Sequence, residues 1–195
     1  MSSSVRVVGA ILMFATGCGN VATPRSVACG AQVLPNGNFD AAAPAWVQVP
    51  ATPALLCGMS TITPVSAPQV ACLGGIDGSV QTLSQTIALP EGVKKLTLSG
   101  MICVTTQETE KVDHDLLEFD VLDGSDVIAS LGKFTNQDGA AQCAFMAFPD
   151  KTATASSDPV NAALRIRSTL NASTTGTTVT SFFIDNLTLT ASCTP

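Results

Sequence analysis

An antiparallel β-sandwich is the fold this sequence predicts. Segments of period-two hydrophobicity recur along the chain, turn residues separate them, and no amphipathic helix is legible between them. The 15 Gly and 11 Pro, together with many Ser and Thr, favour short strands and frequent turns over helices. Many short strands, each with one apolar side, must face one another to bury those sides, which takes two sheets.

"VQTLSQTIAL" (80–89) alternates and stops at Pro90-Glu91-Gly92, a turn. "KKLTLSGMICVTT" (94–106) alternates through Leu96, Leu98 and Ile102. "LLEFDVLDGSDVIASLGKF" (116–134) reads as two strands around Asp123-Gly124, because Asp-Gly supplies the backbone that a tight hairpin turn demands. "QCAFMAF" (142–148), "ALRIRS" (163–168) and "TSFFIDNLTLT" (180–190) supply the remaining strands. Residues 168–181, rich in Ser, Thr and Gly, read as a loop. Ala41–Leu56 is rich in Ala and Pro and carries few strand signals. No internal repeat is visible.

The N-terminus has another character. "MSSSVR" (1–6) precedes an unbroken non-polar run, "VVGAILMFA" (7–15), which falls far short of the ~20 residues a spanning helix needs. Small residues follow, Ala15-Thr16-Gly17, and then Cys18. This resembles a bacterial lipobox, although Ala15 stands where Leu is usual. The alternative is an ordinary secretory signal that leaves Cys18 a plain thiol. The resemblance implies a signal peptide over 1–17, acylation of Cys18 as the anchor in the lipid bilayer, a tether over 18–30 and a domain over 31–195. Two or more acyl chains suffice for stable attachment. Gly19 in place of Asp after the cysteine points to the outer membrane or cell surface of a bacterial envelope.

Only 12 % of residues are charged and the net charge is -6, so no nucleic-acid partner is expected, phosphate neutralisation needing basic clusters. The basic residues gather only at Lys94-Lys95 and Arg165-Ile166-Arg167. Setting Cys18 aside leaves Cys29, Cys57, Cys72, Cys103, Cys143 and Cys193, an even number that reads as three disulfides in an exported chain. No Cys-x-x-Cys pair favours zinc.

Several motifs together resemble galactose-binding-domain-like jelly rolls, found in carbohydrate-binding modules and as accessory domains of secreted peptidases. They are "LPNGNFD" (34–40) followed by Trp46, "ACLGGIDGSVQTLSQTIALP" (71–90), "LRIRS" and "SFFIDNLTLT" (181–190). The likeness spans nearly all of 31–191. It departs at Asp40, where Glu is frequent, and at Cys72 and Cys143, where Trp is frequent. The resemblance implies that first and last strands are neighbours, that Trp46 is buried, and that a structural calcium lies between Asp40 and Asp185 with oxygens from Asn36 or Asn38. Six to eight such oxygens suit calcium. The competing reading has Asp40 capping a turn and Asp185 accepting backbone amides. The same resemblance pairs Cys29 with Cys193 as an end clasp. Cys57 is expected to pair with Cys72, closing the Pro-rich "GMSTITPVSAPQVA" between them, and Cys103 with Cys143, both in mid-strand segments whose alternation points them to the same interior or to neighbouring strands.

Ligand chemistry is sparse. One Trp, no Tyr and Phe residues mostly at inward positions leave no aromatic surface for stacking a pyranose. Glu108, Asp113, His114 and Asp115 form an acidic strand end, read as solvated surface in preference to a metal cluster. Arg165 and Arg167 share one side of their strand, and Glu118 and Asp120 share the outward side of theirs. These four form either a cross-strand charge ladder or a face that grips an anionic or hydroxyl-rich ligand. Asn171 and Asn186 open glycosylation-type triplets that carry no weight in a bacterial chain. No Gly-x-Ser-x-Gly accompanies the single histidine, so no enzyme is expected. The expected function is non-catalytic ligand binding or adhesion at the cell surface, to carbohydrate or another extracellular polymer. The alternative is a structural or protein–protein module of an envelope assembly.

Overall fold

The computed structural model describes residues 27–58, 62–109, 111–155, 159, 161–172 and 179–194. Residues 1–17 and Cys18, with the expected signal and anchor, lie outside them. Ten strands make up the fold: β1 (Val47–Val49), β2 (Leu56–Gly58), β3 (Gln69–Gly74), β4 (Val80–Thr86), β5 (Lys95–Thr106), β6 (Asp115–Asp123), β7 (Asp126–Thr135), β8 (Met146–Thr154), β9 (Ala162–Leu170) and β10 (Thr180–Ser192). A 3-10 turn, Asn136–Asp138, follows β7.

Two five-stranded sheets result, β1-β4-β9-β6-β7 and β2-β3-β10-β5-β8, and every ladder in them is antiparallel. Without the two three-residue edge strands, β3-β10-β5-β8 faces β4-β9-β6-β7. That interleaving of eight strands is the jelly roll. The first and last segments are neighbours, as the resemblance implies: Gly30 and Val33 donate to the carbonyls of Ala191 and Leu189, and Gln32 bridges Thr190.

The core follows from strand parity. Leu117, Phe119 and Val121 of β6, Leu164 and Ile166 of β9, and Phe182 and Ile184 of β10 are fully buried between the sheets. Phe119, Phe134 and Phe148 stack at centroid distances of 5.4–6.1 Å. Trp46 is buried against Phe39 at 5.0 Å, its indole N–H donating to the Asn36 carbonyl at 2.8 Å. The β6–β7 hairpin turns where Asp123-Gly124 predicts one, but one residue later: Asp123 closes the ladder against Asp126 and Gly124-Ser125 make the turn, with Gly124 at φ 62°.

Three disulfides staple the sandwich: Cys29–Cys193, Cys57–Cys72 and Cys103–Cys143, with Cα separations of 5.6, 6.0 and 5.6 Å. Two expectations about their setting need correction. Cys143 is not in a strand, since β8 begins only at Met146, and the start of "QCAFMAF" is a connecting segment. Nor does Cys103 face the interior. It pairs with Phe183, while the neighbouring Val104 pairs with the core residue Phe182, so the bridge lies on the outer side of its sheet. Cys103 is shielded even so, at 2 % exposure.

Candidate functional site

Asn38, Asp40 and Asp185 come together around one segment, residues 65–69, and Asn36 sits in the loop that leads to it. Asp185 is fully buried, and its Oδ2 accepts the N–H groups of Val65 and Ser66, both at 2.8 Å. Its Oδ1 accepts the Ser66 hydroxyl at 2.9 Å and the Asn186 N–H at 2.7 Å. Asp40 holds the other end, accepting from Gln69 N–H at 2.9 Å and from the Asn38 amide, also at 2.9 Å. The Asn36 side chain ties the preceding loop, donating to the Ala41 and Pro44 carbonyls and accepting from Ala41 N–H. A cation needs oxygens where these carboxylates receive N–H and O–H donors. As folded, the four residues do not fit calcium; they clamp two loops together.

Two buried glutamines that the sequence reading passed over do similar work. Gln81 and Gln85 share the inward parity of Leu83 on β4. Gln81 exchanges hydrogen bonds with the backbone of Gly74, and Gln85 joins Asn36 N–H to the Pro44 carbonyl. Their shared phase with Leu83 and Ile87 was the available signal.

The outer face of the β1-β4-β9-β6-β7 sheet brings the two arginines and two acids together. One row runs Val49, Thr82, Arg167, Glu118, Lys133 across all five strands. The adjacent row runs Val47, Ser84, Arg165, Asp120, Ser130. Arg165 Nη2 donates to Asp120 Oδ2 at 2.7 Å, with the two side chains 24 % and 10 % exposed. Its Nε is shielded from solvent and finds no partner among the described residues. Arg167 lies opposite Glu118 and is half-buried. Lys133 at the row's end pairs with Asp113 at 3.2 Å. No aromatic residue stands in either row. Exposed Val47 and Val49 flank them at the β1 edge. The face thus offers fixed guanidinium donors, carboxylate acceptors and hydroxyls on a rigid sheet.

The acidic strand end resolves into separate roles. Asp113 is on the surface, bonded to Lys133 and to the Gln137 amide, and the Lys133 hydrogen bond in first place holds its carboxyl below the usual value. Asp115 instead turns inward and is buried. One ring does face outward, on the other sheet: half-buried Phe183 lies beside Pro53, Leu55 and Ile76 in a cleft of about 250 Å³. Among the described residues no three or more His, Cys, Asp or Glu side chains gather as a metal-holding group, and no helix is long and apolar enough to cross a membrane.

Comparison with known proteins finds no family model that matches and no curated protein that matches. Among solved structures, the chain is similar to TmCBM61 in complex with beta-1,4-galactotriose, at a TM-score of 0.47 and 13 % identity over 83 % of this chain and 99 % of that one. It is also similar to the arabinose-bound α-L-arabinofuranosidase MgGH51, at a TM-score of 0.48 and 14 % identity over 84 % of this chain. It spans only 27 % of that enzyme. The strand order by itself defines the class, an all-β, disulfide-stapled jelly-roll sandwich.

Proposed function

We propose that this chain is a non-catalytic binding module that lays the outer face of its β1-β4-β9-β6-β7 sheet against a glycan or a comparable hydroxyl-rich extracellular polymer. Acylation of Cys18 would hold it on the bacterial envelope, at the outer membrane or cell surface. The observation that carries the reading is the pair of cross-sheet rows through Arg165–Asp120 and Arg167–Glu118. Donors and acceptors alternate there within reach of vicinal hydroxyls, on strands that hold them without a loop's mobility. Hydrogen bonds to charged groups contribute about 1.5–3 kcal/mol each, so two or three give useful affinity without ring stacking.

A second reading, a protein–protein module of an envelope assembly, is favoured by exposed Val47 and Val49 at the β1 edge with exposed Val80 on the adjoining β4. A glycan array of neutral and acidic polysaccharides separates the two. The glycan reading expects a signal that drops at least about tenfold in Arg165→Ala/Arg167→Ala, since each lost charged contact is worth a factor of ten or more. A blank array, together with stoichiometric capture of one envelope protein lost on Val47→Lys/Val49→Lys, favours the second.

A further inference from the structure

Two carboxylates, Asp185 and Asp115, are buried almost completely and are served differently. Asp185 receives four donors. Asp115 is 1 % exposed; its Oδ1 accepts Asn171 N–H at 3.1 Å, while its Oδ2 is shielded from solvent and has no hydrogen-bond partner among the described residues. Ser168, fully buried, has a hydroxyl in the same condition. The two lie together. Asp115 pairs with Leu170 and Leu117 with Ser168, so on the inward side of the β6–β9 ladder Asp115 and Ser168 are diagonal neighbours.

This is the end of the sandwich where the chain crosses between sheets. On the facing sheet Thr106 and Thr180 share a hydrogen bond at 3.0 Å, and Glu108, whose Oε2 is also shielded, donates its N–H to Thr106. The turn after β7 binds both sides: Asn136 Oδ1 accepts the N–H groups of His114 and Asp115, and Gly139 backs onto Thr106, whose Cγ2 would be 2.8 Å from any added Cβ.

A buried carboxylate oxygen without a donor is costly, and the remedies are a proton, a donor or a cation. The oxygens gathered here are carboxylate and hydroxyl, and all six cysteines of the domain are bonded to one another, so the donor set suits a hard cation.

We propose that this end of the sandwich binds a calcium ion, with Asp115 Oδ2 as the anchoring ligand and Ser168 Oγ and Glu108 beside it. The few carboxylates place the affinity at about 10⁻⁴–10⁻³ M, the range of extracellular modules. Binding ties β6 and β9 to the β5–β6 crossing and stabilises only the native state.

The test is the melting temperature of the full chain, stripped with EDTA and titrated with CaCl₂ to about 10 mM at constant ionic strength. The wild type gains a few degrees, and Mg²⁺, which dehydrates reluctantly, gives less. Ser168→Ala and Glu108→Gln each move the calcium midpoint upward by about tenfold, as loss of one ligand should. Asp115→Asn abolishes the response, whereas Asp185→Asn melts earlier and keeps it. A wild type indifferent to calcium overturns the proposal. So does a calcium response retained in Asp115→Asn, or Ser168→Ala that melts higher with its response unchanged. Should Asp115→Asn not fold, the Ser168 and Glu108 variants decide.

Discussion

Replacing Asp185 by Asn keeps the side chain's volume and takes away its charge and one acceptor. Four donors converge on this carboxylate, three of them backbone N–H groups fixed in direction and one the Ser66 hydroxyl, which can turn. If the new amide keeps its oxygen toward Val65 and Ser66, its NH₂ meets the Asn186 N–H head on. Asn186 sits at φ 50°, at the register shift within β10, and has little room to yield. Two bonds then fall from charge-assisted to neutral, a loss of about 1 kcal/mol each. One half-buried N–H is left without its protein partner, at a further cost of about 1–3 kcal/mol. The sum is about 3–5 kcal/mol, or about 6–20 °C in melting temperature for a domain of this size. Urea or thermal unfolding of both proteins measures it. The loss should be the same in EDTA and in calcium, because N–H donors and not an ion stabilise this carboxylate. A difference below about 1 kcal/mol would refute the reasoning, as would a difference that EDTA erases.

Further expectations concern other parts of the fold. Gly37→Ala should destabilise strongly, because a Cβ there would overlap the Leu187 carbonyl that lies against it; a melting curve like the wild type's would show that the loop at Gly37 can move off β10 at little cost. Replacing both Cys29 and Cys193 by Ser should cost about 3–5 kcal/mol in chemical unfolding, since the bridge closes nearly the whole domain across 164 residues, and a loss under 1 kcal/mol would contradict that account. The hydrogen bond from Lys133 holds the Asp113 pKa below the ordinary carboxylate value, so its contribution is present above that ordinary value and vanishes as pH falls through the lower folded one. Lys133→Met should therefore matter at neutral pH and low salt and have no effect in strong acid; an effect that persists in acid would assign Lys133 a role other than pairing with Asp113. Cys18→Ser should move the protein from the membrane fraction to the soluble one, and continued firm attachment would count against acylation.

The strands of the central ladders were legible because alternation is strongest where one side of a strand is sealed and the other wet. β6, with Leu117, Phe119 and Val121 inward against Glu118 and Asp120, is the clearest case. β1 and β2 escaped because three residues cannot display a period, and their Pro-rich surroundings carry no strand preference. The rows on the outer sheet face were half legible. Parity put Arg165 with Arg167 and Glu118 with Asp120, but register, which no single strand contains, decided that Asp120 meets Arg165 and Glu118 meets Arg167. For Asp40 and Asp185 the sequence left a shared ion and backbone donors as alternatives, and the segment at 65–69 supplies donors to both. Position misled in another place. Asp115 read as one more surface acid beside Asp113 and His114, although its parity with Leu117 already turned it inward.

The claim on which the function rests is that the outer face of the β1-β4-β9-β6-β7 sheet is the binding surface. Backbone amide NMR shifts, followed while the best glycan from the array is titrated into the isotope-labelled protein, test it most directly. The account predicts that shifts concentrate at Thr82, Ser84, Glu118, Asp120, Arg165 and Arg167, while Phe183 and Ile76 on the other side stay still. Shifts confined to the Phe183 cleft, or to the loops at one end with the two rows unmoved, would contradict it.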